Sequence, residues 1–352
     1  MSIRGDRVQK DNVLKVLVTG GAGYIGSHTC MELLRANYDV QVVDNLDNGT
    51  IEALTRVKRL SNRDLTFTEC DVRNVNLLDK VFAEFQPDIV IHFAGLKAVG
   101  ESAAKPALYY DVNVGGTATL LVAMERANCN NIVFSSSATV YGEPKYLPCD
   151  ELHPLNPINP YGRTKLMGEA LLKDWSSASP KSRHAVALRY FNPVGADSSG
   201  EIGEDPNDVP NNLMPFVAQV AVGRRDHLQI FGNDYETIDG TGVRDYIHVV
   251  DLARAHVAAV DYIQELAPFE AINVGTGSGL SVLQMVREFE QQSSKTIDYQ
   301  IAPRRPGDAA EVWADVSKAT RSLRFQANFG APEMCRDTWR WQSANPNGYQ
   351  NN

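Results

Sequence analysis

The fold of this 352-residue chain is indicated by the sequence KVLVTGGAGYIG at residues 15–26. The apolar run at residues 16–18 is typical of a buried strand, and helical spacing begins at Gly26. Gly20, Gly23 and Gly26 allow a tight turn, close approach of a pyrophosphate to backbone N–H groups, and close packing of helix on strand. This strand, turn and helix predict a dinucleotide site.

An acidic residue follows the next apolar run, as such a site requires. Residues 40–43 read as a second strand that ends at Asp44, eighteen positions after Gly26. A carboxylate here is placed for the adenosine ribose hydroxyls and would repel a 2′-phosphate. The alternative is an ordinary turn with a capping aspartate. The pattern favours NAD over NADP.

Short apolar runs alternate with segments of helical spacing through the first half of the chain. The predicted strands are residues 16–18, 40–43, 65–67, 88–93, 132–135 and 185–190. The predicted helices are residues 26–35, 77–85, 116–127 and 160–175. This order is typical of an α/β fold with a doubly wound, Rossmann-type parallel sheet.

We place a domain boundary near Pro193, where the pattern becomes irregular. Residues 1–193 are predicted to form the NAD-binding domain, with residues 1–12 a flexible tail. Residues 194–352 are predicted to form a smaller, irregular α/β substrate domain, some of whose segments return to pack on the first. Gly, Pro, Asp and Asn are frequent up to about residue 212, which favours a long loop system.

Charge and cysteine content narrow the class of protein. The chain has 34 basic and 43 acidic residues, a net charge of −9, which argues against nucleic-acid and membrane partners. No apolar run approaches the roughly 18 residues of a membrane span, and the polar start lacks a signal peptide's apolar stretch, so we expect a cytoplasmic protein. Five separated cysteines without a CxxC pair argue against disulfides and a thiolate metal site.

A second motif carries acid/base chemistry. Tyr161 and Lys165 are four residues apart in a helical segment and therefore share one face, where an ammonium can stabilise a phenolate. Lowering the pKa of a phenol from about 10 to about 7 requires roughly 4 kcal/mol, which Lys165 and an oxidised nicotinamide could share. The strand that ends at Ser135, Ser136 and Ser137 adds hydroxyls at the edge where α/β sheets bind ligands. Two surface residues are the alternative for the YxxxK pair taken alone.

With these motifs the chain resembles the extended short-chain dehydrogenase/reductases and, among them, the UDP-glucose 4-epimerase family. The resemblance covers nearly everything from residue 16 to residue 348. The matching segments are residues 20–28, 91–102, 135–142, 159–167, 189–195, 210–225, 239–248 and 304–308. Segments in the second half are the more specific, because the Rossmann half alone fits many activities.

The resemblance implies a role for each matching residue. Tyr161 is the catalytic acid/base, Ser137 hydrogen-bonds the reacting sugar oxygen, and Lys165 lowers the pKa of the tyrosine and contacts the nicotinamide ribose. Val112 stands where the family more often has Asn, and Asn113 is expected to serve instead. The implied NAD contacts are Gly20, Gly23, Tyr24, Ile25, Gly26, Asp44, Asn45, Asp71, Val72, Phe93, Ala94, Gly95, Lys97, Asn113, Tyr161, Lys165 and Phe191. The implied UDP-sugar contacts are Ser137, Asn192, Asn212, Leu213, Phe231, Arg244, Arg305, Asp308 and Val312.

Three activities remain to be compared. An epimerase would oxidise C4 of a UDP-hexose, turn the 4-keto sugar over and reduce its other face. A sugar-nucleotide 4,6-dehydratase or decarboxylase begins with the same oxidation, but dehydratases of this family carry an Asp-Glu pair where this chain has Ala138 and Thr139. A non-catalytic NAD-sensing protein on the same fold is the third possibility. The motifs favour the epimerase.

Three further expectations concern the size of the sugar substrate, a metal site and the oligomeric state. The resemblance implies that Val312 is at a wall of the hexose pocket, where a small residue leaves room for an N-acetyl group, so UDP-GlcNAc and UDP-GalNAc are expected substrates beside UDP-glucose and UDP-galactose. The alternative is that Val312 belongs to the core packing and that neighbouring loops close the gap. The family forms homodimers through helices that correspond to residues 105–127 and 160–176. His248, Asp251 and His256 share helical spacing but lack a further convergent ligand, so we expect no metal.

Overall fold

A computed structural model describes residues 13–206, 210, 212–305 and 307–350. The predicted tail at residues 1–12 lies outside the described residues. The strands are β1 Lys15–Thr19, β2 Asp39–Asp44, β3 Thr66–Glu69, β4 Ile89–His92, β5 Asn131–Ser137, β6 His184–Tyr190, β7 Asn192–Val194, β8 Leu228–Phe231, β9 Val243–His248, β10 Phe269–Val274, β11 Gly279–Ser281, β12 Tyr299–Ala302 and β13 Glu311–Val312.

The helices that accompany these strands include every helix predicted from spacing. They are α1 Tyr24–Arg35, α2 Ile51–Ser61, α3 Val75–Phe85, α4 Val99–Ala104, α5 Pro106–Tyr109, α6 Gly116–Arg126, α7 Pro160–Ser177, α8 Leu213–Ala221, α9 Val249–Tyr262, α10 Val282–Ser293, α11 Ser317–Leu323 and α12 Ala331–Ala344. A π-helical stretch, Tyr110–Gly115, joins α5 to α6, and short 3₁₀ turns occupy Ala138–Val140 and Ile263–Glu265. No helix of the described residues is long and apolar enough to cross a membrane.

Seven parallel strands form the main sheet, in the order β10-β6-β5-β4-β1-β2-β3. One apolar cluster packs α1, α2 and α9 against one face, and a second packs α3, α6 and α7 against the other. The chain runs outward from β1 to β3 on one side and from β4 to β6 on the other. The crevice between the carboxyl ends of β1 and β4 is therefore the switch point at which such sheets bind ligands.

The second half contributes to both the main sheet and a smaller layer. β10 pairs with β6 and completes the main sheet, although it lies beyond residue 193. β7, β11 and β13 each pair with β9, while β12 pairs with β8. β7 falls within the segment predicted as loop, because a three-residue strand with Pro193 at its centre gives too short a pattern to identify from spacing. These short strands hold the second wall of the crevice.

Candidate active site

One cleft of about 1720 Å³ lies above the switch point and extends between the main sheet and the smaller layer. All predicted site residues line it except Asn113 and Val312. The chain thus brings together segments that are up to about 290 residues apart in sequence, from Gly20 to Asp308. The cleft also has lining residues that the sequence did not single out, among them Tyr190 and Glu204.

The glycine-rich turn occupies the inner end of the cleft, and two of its glycines are required by packing. Gly20 has a φ of +72°, and a Cβ there would lie 2.6 Å from the Ala94 nitrogen on the neighbouring strand end. A Cβ at Gly26 would lie 2.2 Å from the Gly20 oxygen. At Gly23 a Cβ would meet only that oxygen, at 3.4 Å, so this position leaves room at the start of α1. The turn fits a pyrophosphate.

Asp44 ends β2 beside this turn, where it is 7% exposed. Its carboxylate accepts hydrogen bonds from the backbone N–H of Ala22 at 3.0 Å and of Leu46 at 2.8 Å. Burial raises the pKa of Asp44, and the two backbone hydrogen bonds oppose that effect. The side chain therefore ties the glycine turn to the end of β2 and lines the cleft where an adenosine ribose would lie.

Ser137, Tyr161 and Lys165 meet at the carboxyl end of β5. The strand ends at Ser137, and α7 starts at Pro160 with Asn159 capping its first turn, which places Tyr161 in that turn. The Lys165 ammonium donates to the backbone oxygen of Ser135 at 2.7 Å and lies 5.8 Å from the centre of the Tyr161 ring. The three side chains therefore form one group at the cleft.

The protein's own groups do not bring Tyr161 to a neutral pKa. Burial raises its pKa to about 12, against a lowering effect of its hydrogen bond with Ser137. Burial also lowers the pKa of Lys165 to about 8. The Lys165 ammonium donates its hydrogen bond to the Ser135 carbonyl, and its expected lowering of the pKa of Tyr161 stays a prediction.

Two arginines lie on the opposite wall of the cleft. The Arg244 guanidinium is 3.5 Å from the Asp308 carboxylate, and it donates to the backbone oxygen of Val243. The Arg305 guanidinium stacks over the Phe231 ring, 3.9 Å from the ring centre. Such guanidinium groups can hold a diphosphate by paired hydrogen bonds. Asn192, Asn212 and Leu213 also line the cleft.

Glu204 links the two walls and is a functional candidate that sequence analysis missed. Its carboxylate accepts hydrogen bonds from the Lys97 ammonium at 3.1 Å and from the Asn212 amide at 3.3 Å. Lys97 follows β4, whereas Asn212 precedes α8. No spacing rule joins these three residues, since Glu204 and Asn212 lie in the loop between β7 and α8, whereas Lys97 lies in the loop after β4.

The expectation for Asn113 is corrected by its hydrogen bonds. Its side-chain oxygen accepts from the Leu96 N–H at 2.8 Å, and its amide donates to the Leu96 carbonyl and to the Thr164 hydroxyl. The residue is 5% exposed and does not line the cleft, whereas Val112 does. Asn113 therefore supports the cleft from behind, because its polar atoms are used by the loop after β4 and by α7.

Val312 also lies behind the cleft lining. It pairs with Arg244 in the β13–β9 ladder and packs in an apolar cluster that includes Phe191, a cleft residue.

The two histidines considered as metal ligands have other hydrogen-bond partners. The Tyr190 hydroxyl bonds to His256 at 2.6 Å, and His248 caps α9. Within the part of the chain that the structure describes, no group of three His, Cys, Asp or Glu side chains could hold a metal ion.

Comparison with known proteins places the chain in a family. The GDP-mannose 4,6 dehydratase family model matches residues 17–338. UDP-glucose 4-epimerase of Bacillus subtilis (strain 168) is 57% identical over 337 residues, covering 96% of this chain and 99% of that protein. UDP-glucose 4-epimerase 2 of Arabidopsis thaliana is 56% identical over 338 residues, covering 95% and 96%.

A solved structure extends the likeness to three dimensions. Bifidobacterium longum UDP-glucose 4-epimerase, crystallised in complex with NAD+ and UDP, superimposes with a TM-score of 0.91 at 51% identity, covering 95% of this chain and 99% of that one. The chain belongs to the UDP-glucose 4-epimerases of the extended short-chain dehydrogenase/reductase family.

Proposed function

We propose that the protein is an NAD-dependent enzyme that interconverts UDP-glucose and UDP-galactose by inverting C4 of the hexose. The observation that carries the proposal is a single cleft with Ser137, Tyr161 and Lys165 at one end and two arginines on the opposite wall. The first group performs acid/base chemistry, and the second accommodates a diphosphate. A sugar that joins the two would lie between them.

Gly20, Gly23, Asp44 and Lys97 would hold the dinucleotide along the carboxyl ends of β1, β2 and β4. When bound, NAD supplies the reversible two-electron oxidation of the sugar carbon together with a positive charge in the site. The free space beside Gly23, which lets a ligand come close to the backbone, and the buried carboxylate of Asp44 support this assignment. Asp44 disfavours a 2′-phosphate by like-charge repulsion.

Tyr161 takes the proton from the 4-hydroxyl group and returns it to the same oxygen when C4 is reduced on its opposite face. Burial raises its pKa to about 12, further from neutrality than that of a free phenol, so positive charge is needed to ionise it. Lys165 supplies part of that charge, because its ammonium lies 5.8 Å from the ring. Ser137 hydrogen-bonds Tyr161 and can hold the reacting oxygen beside it.

The dehydratase alternative lacks an acid at the required positions. Ala138 has no polar side chain, and the Thr139 hydroxyl donates to the Ser137 oxygen at 3.0 Å. An alcohol cannot serve as the carboxyl acid that eliminates water at neutral pH. The local structure therefore supports oxidation and reduction at C4 without elimination.

The test is incubation with UDP-galactose, and separately with UDP-glucose, without added reductant, followed by chromatography and mass spectrometry. We expect both reactions to reach the same mixture, with no change in mass. A product lighter by one water molecule would indicate a dehydratase instead. Full recovery of both substrates would contradict any catalytic role.

We further propose that UDP-GlcNAc and UDP-GalNAc are substrates. Val312 is only partly buried behind Phe191, and its small side chain leaves more space than a tyrosine would at the same position. An open pocket penalises the smaller sugar by only about 1 to 3 kcal/mol, so both pairs can react. Turnover of UDP-GalNAc under the same conditions is the direct measurement.

We also propose a homodimer in the cytoplasm. Leu108, Val122 and Met167 are 40%, 40% and 44% exposed on α5, α6 and α7, which are the helices expected at the dimer contact. All five cysteines are free and buried, as suits a reducing compartment. Sedimentation equilibrium of the wild type and of Met167→Glu tests the contact: a dimer that the variant weakens is expected, and a monomeric wild type contradicts it.

A further inference from the structure

A row of buried polar side chains lies beneath the catalytic group, on the face of the sheet covered by α7. Ser136, Arg189 and Asn273 are register partners on three neighbouring strands, β5, β6 and β10. They are 1%, 3% and 0% exposed. Buried polar residues of this kind require partners, and here the partners connect the row to the catalytic helix.

Glu169 provides that connection. It lies on α7 four residues after Lys165 and eight after Tyr161, so the three side chains follow one helix face. Its carboxylate receives two hydrogen bonds from the Arg189 guanidinium, at 2.9 and 2.7 Å, and one from the Ser136 hydroxyl at 2.5 Å. Both charged side chains are 4% exposed.

The same contacts determine where the catalytic atoms lie. Ser136 stands between Ser135, whose carbonyl accepts from the Lys165 ammonium, and the catalytic Ser137. A shift of α7 along β5 would therefore change the Lys165 and Tyr161 contacts together. The hydrogen bonds of Glu169 resist that shift because they are bidentate on one strand and single on the next.

The network is anchored on its far side as well. The Arg189 guanidinium donates to the Tyr141 hydroxyl at 3.1 Å, and Tyr141 donates to the Asn273 side-chain oxygen at 2.5 Å. The Asn273 amide donates in turn to the carbonyl of Cys149 at 2.9 Å. The guanidinium is thus held by Tyr141 as well as by Glu169, so a contact outside α7 opposes its movement with the helix.

Stability does not explain a buried ion pair at this place. Replacing such a pair by apolar residues of similar volume is often neutral or stabilising, because both charges lose their hydration. α3, on the same face, is attached by Leu78, Val81 and Phe82 without any such pair. Unlike apolar packing, the ion pair allows only one register of α7 on β5.

We propose that Glu169 and Arg189 are positioning residues for the proposed epimerisation, fixing the register of α7 on β5 so that Lys165 and Tyr161 meet Ser135 and Ser137 in the reactive arrangement. The assignment rests on the proposed function for its kinetic consequences. Its geometric content, the separation of Lys165 from Ser135, is independent of any activity.

The decisive variant is the double substitution Glu169→Met with Arg189→Met, which removes both charges and keeps apolar volume. We expect it to fold with nearly the wild-type Tm, while kcat for UDP-galactose falls roughly 10- to 100-fold and KM changes less than about threefold. The apparent pKa of the essential base in kcat/KM is expected to rise by about 0.5 unit or more. A crystal structure should show the distance from Lys165 Nζ to the Ser135 oxygen beyond 3.5 Å.

Two further variants separate positioning from stability. Arg189→Lys keeps the charge but loses the bidentate contact, so its kcat should lie between those of the wild type and the double variant. Asp337→Asn is the matched control, because Asp337 is 2% exposed and paired with Arg336 outside the cleft. It should lower Tm without changing kcat or the pH profile of the folded enzyme.

The outcomes distinguish this proposal from the function on which it rests. A wild type that does not epimerise contradicts the proposed function, and the crystallographic distance alone then decides the positioning role. If the wild type is active and the double variant keeps kcat within threefold with an unchanged pH profile, the positioning role is wrong. It is equally wrong if Asp337→Asn lowers kcat as much as the double variant does.

Discussion

The two walls of the cleft are built in different ways. The cofactor wall comes from adjoining segments of the first half, and its turn is fixed by backbone contacts: Gly20 against Ala94, and Ala22 on Asp44. The opposite wall comes from short strands and loops that are far apart in sequence, and its exposed Arg305 stacks on Phe231. The difference fits an enzyme that keeps one dinucleotide through many cycles and exchanges sugar nucleotides at each.

The largest expected effect tests the catalytic group of Ser137, Tyr161 and Lys165 at the carboxyl end of β5. Tyr161→Phe removes the only proposed proton carrier, so kcat should fall by at least about 10²-fold while the affinity for UDP-sugars stays nearly unchanged. Steady-state kinetics and calorimetric titration measure the two quantities. Ser176→Ala, a change near the other end of α7, should retain full activity. Near-normal turnover of Tyr161→Phe would falsify the mechanism.

The next effect concerns the size limit of the sugar wall. Val312→Tyr should reduce turnover of UDP-GalNAc by roughly 50-fold or more and spare UDP-galactose, because a ring excludes the larger sugar far more strongly than the smaller one. Val312→Ile serves as the control and should keep both activities. A wild type that consumes UDP-galactose but not UDP-GalNAc would mean that Val312 does not set the limit.

The anion-binding side chains give a third, smaller effect. Arg305→Ala should raise KM for UDP-galactose roughly 20-fold, since a hydrogen bond to a charged group contributes about 1.5 to 3 kcal/mol. The amount of NAD that copurifies should not change, because Arg305 lies on the opposite wall. Arg305→Lys should recover part of the affinity. Loss of NAD together with UDP-sugar affinity would show that the walls are not independent.

Substitution of Asp44 tests the cofactor wall, and the expected change in the preference for NAD over NADP is about tenfold. Asp44→Ala should narrow the preference for NAD over NADP by roughly that factor, because it removes a like charge facing the 2′-phosphate. Asp44→Asn is the control for the loop, since its amide oxygen can still accept from the Ala22 N–H at the present 3.0 Å. Both variants should shift the preference alike. Equal affinities of the wild type for both dinucleotides would refute the role.

The cofactor wall was predictable from sequence because its contacts are local. The turn at Gly20, the strand end at Asp44 and the pair formed by Tyr161 and Lys165 all follow from short spacings, and the strands between them were placed correctly. The sugar wall depended on the resemblance, because Arg244 and Asp308 are 64 residues apart and only the β13–β9 pairing unites them.

Other features could not be obtained from local patterns. Glu169 appears from sequence as an ordinary acidic residue on a helix, and only the register of β5, β6 and β10 shows that it faces Arg189. β10 was missed as a strand of the main sheet, since its pairing with β6 joins residues about 85 apart. Asn113 was assigned to the cofactor because a neighbouring position matches the family, whereas the hydrogen bonds of its amide decide otherwise.

The smallest effect concerns the charge of Lys165. Burial lowers its pKa to about 8, against about 10.4 in an unfolded chain, so between these values the unfolded state binds the proton and the folded state does not. The free energy of unfolding contributed by this group must therefore rise with pH across that window and be constant below it, by up to about 1.4 kcal/mol per pH unit. Urea unfolding of the wild type and of Lys165→Met at pH 8 and pH 9 isolates the effect, because tyrosines and cysteines titrate alike in both. The wild type should gain about 1 kcal/mol on the variant between the two pH values, and an unchanged difference would show that Lys165 stays fully charged in the folded protein.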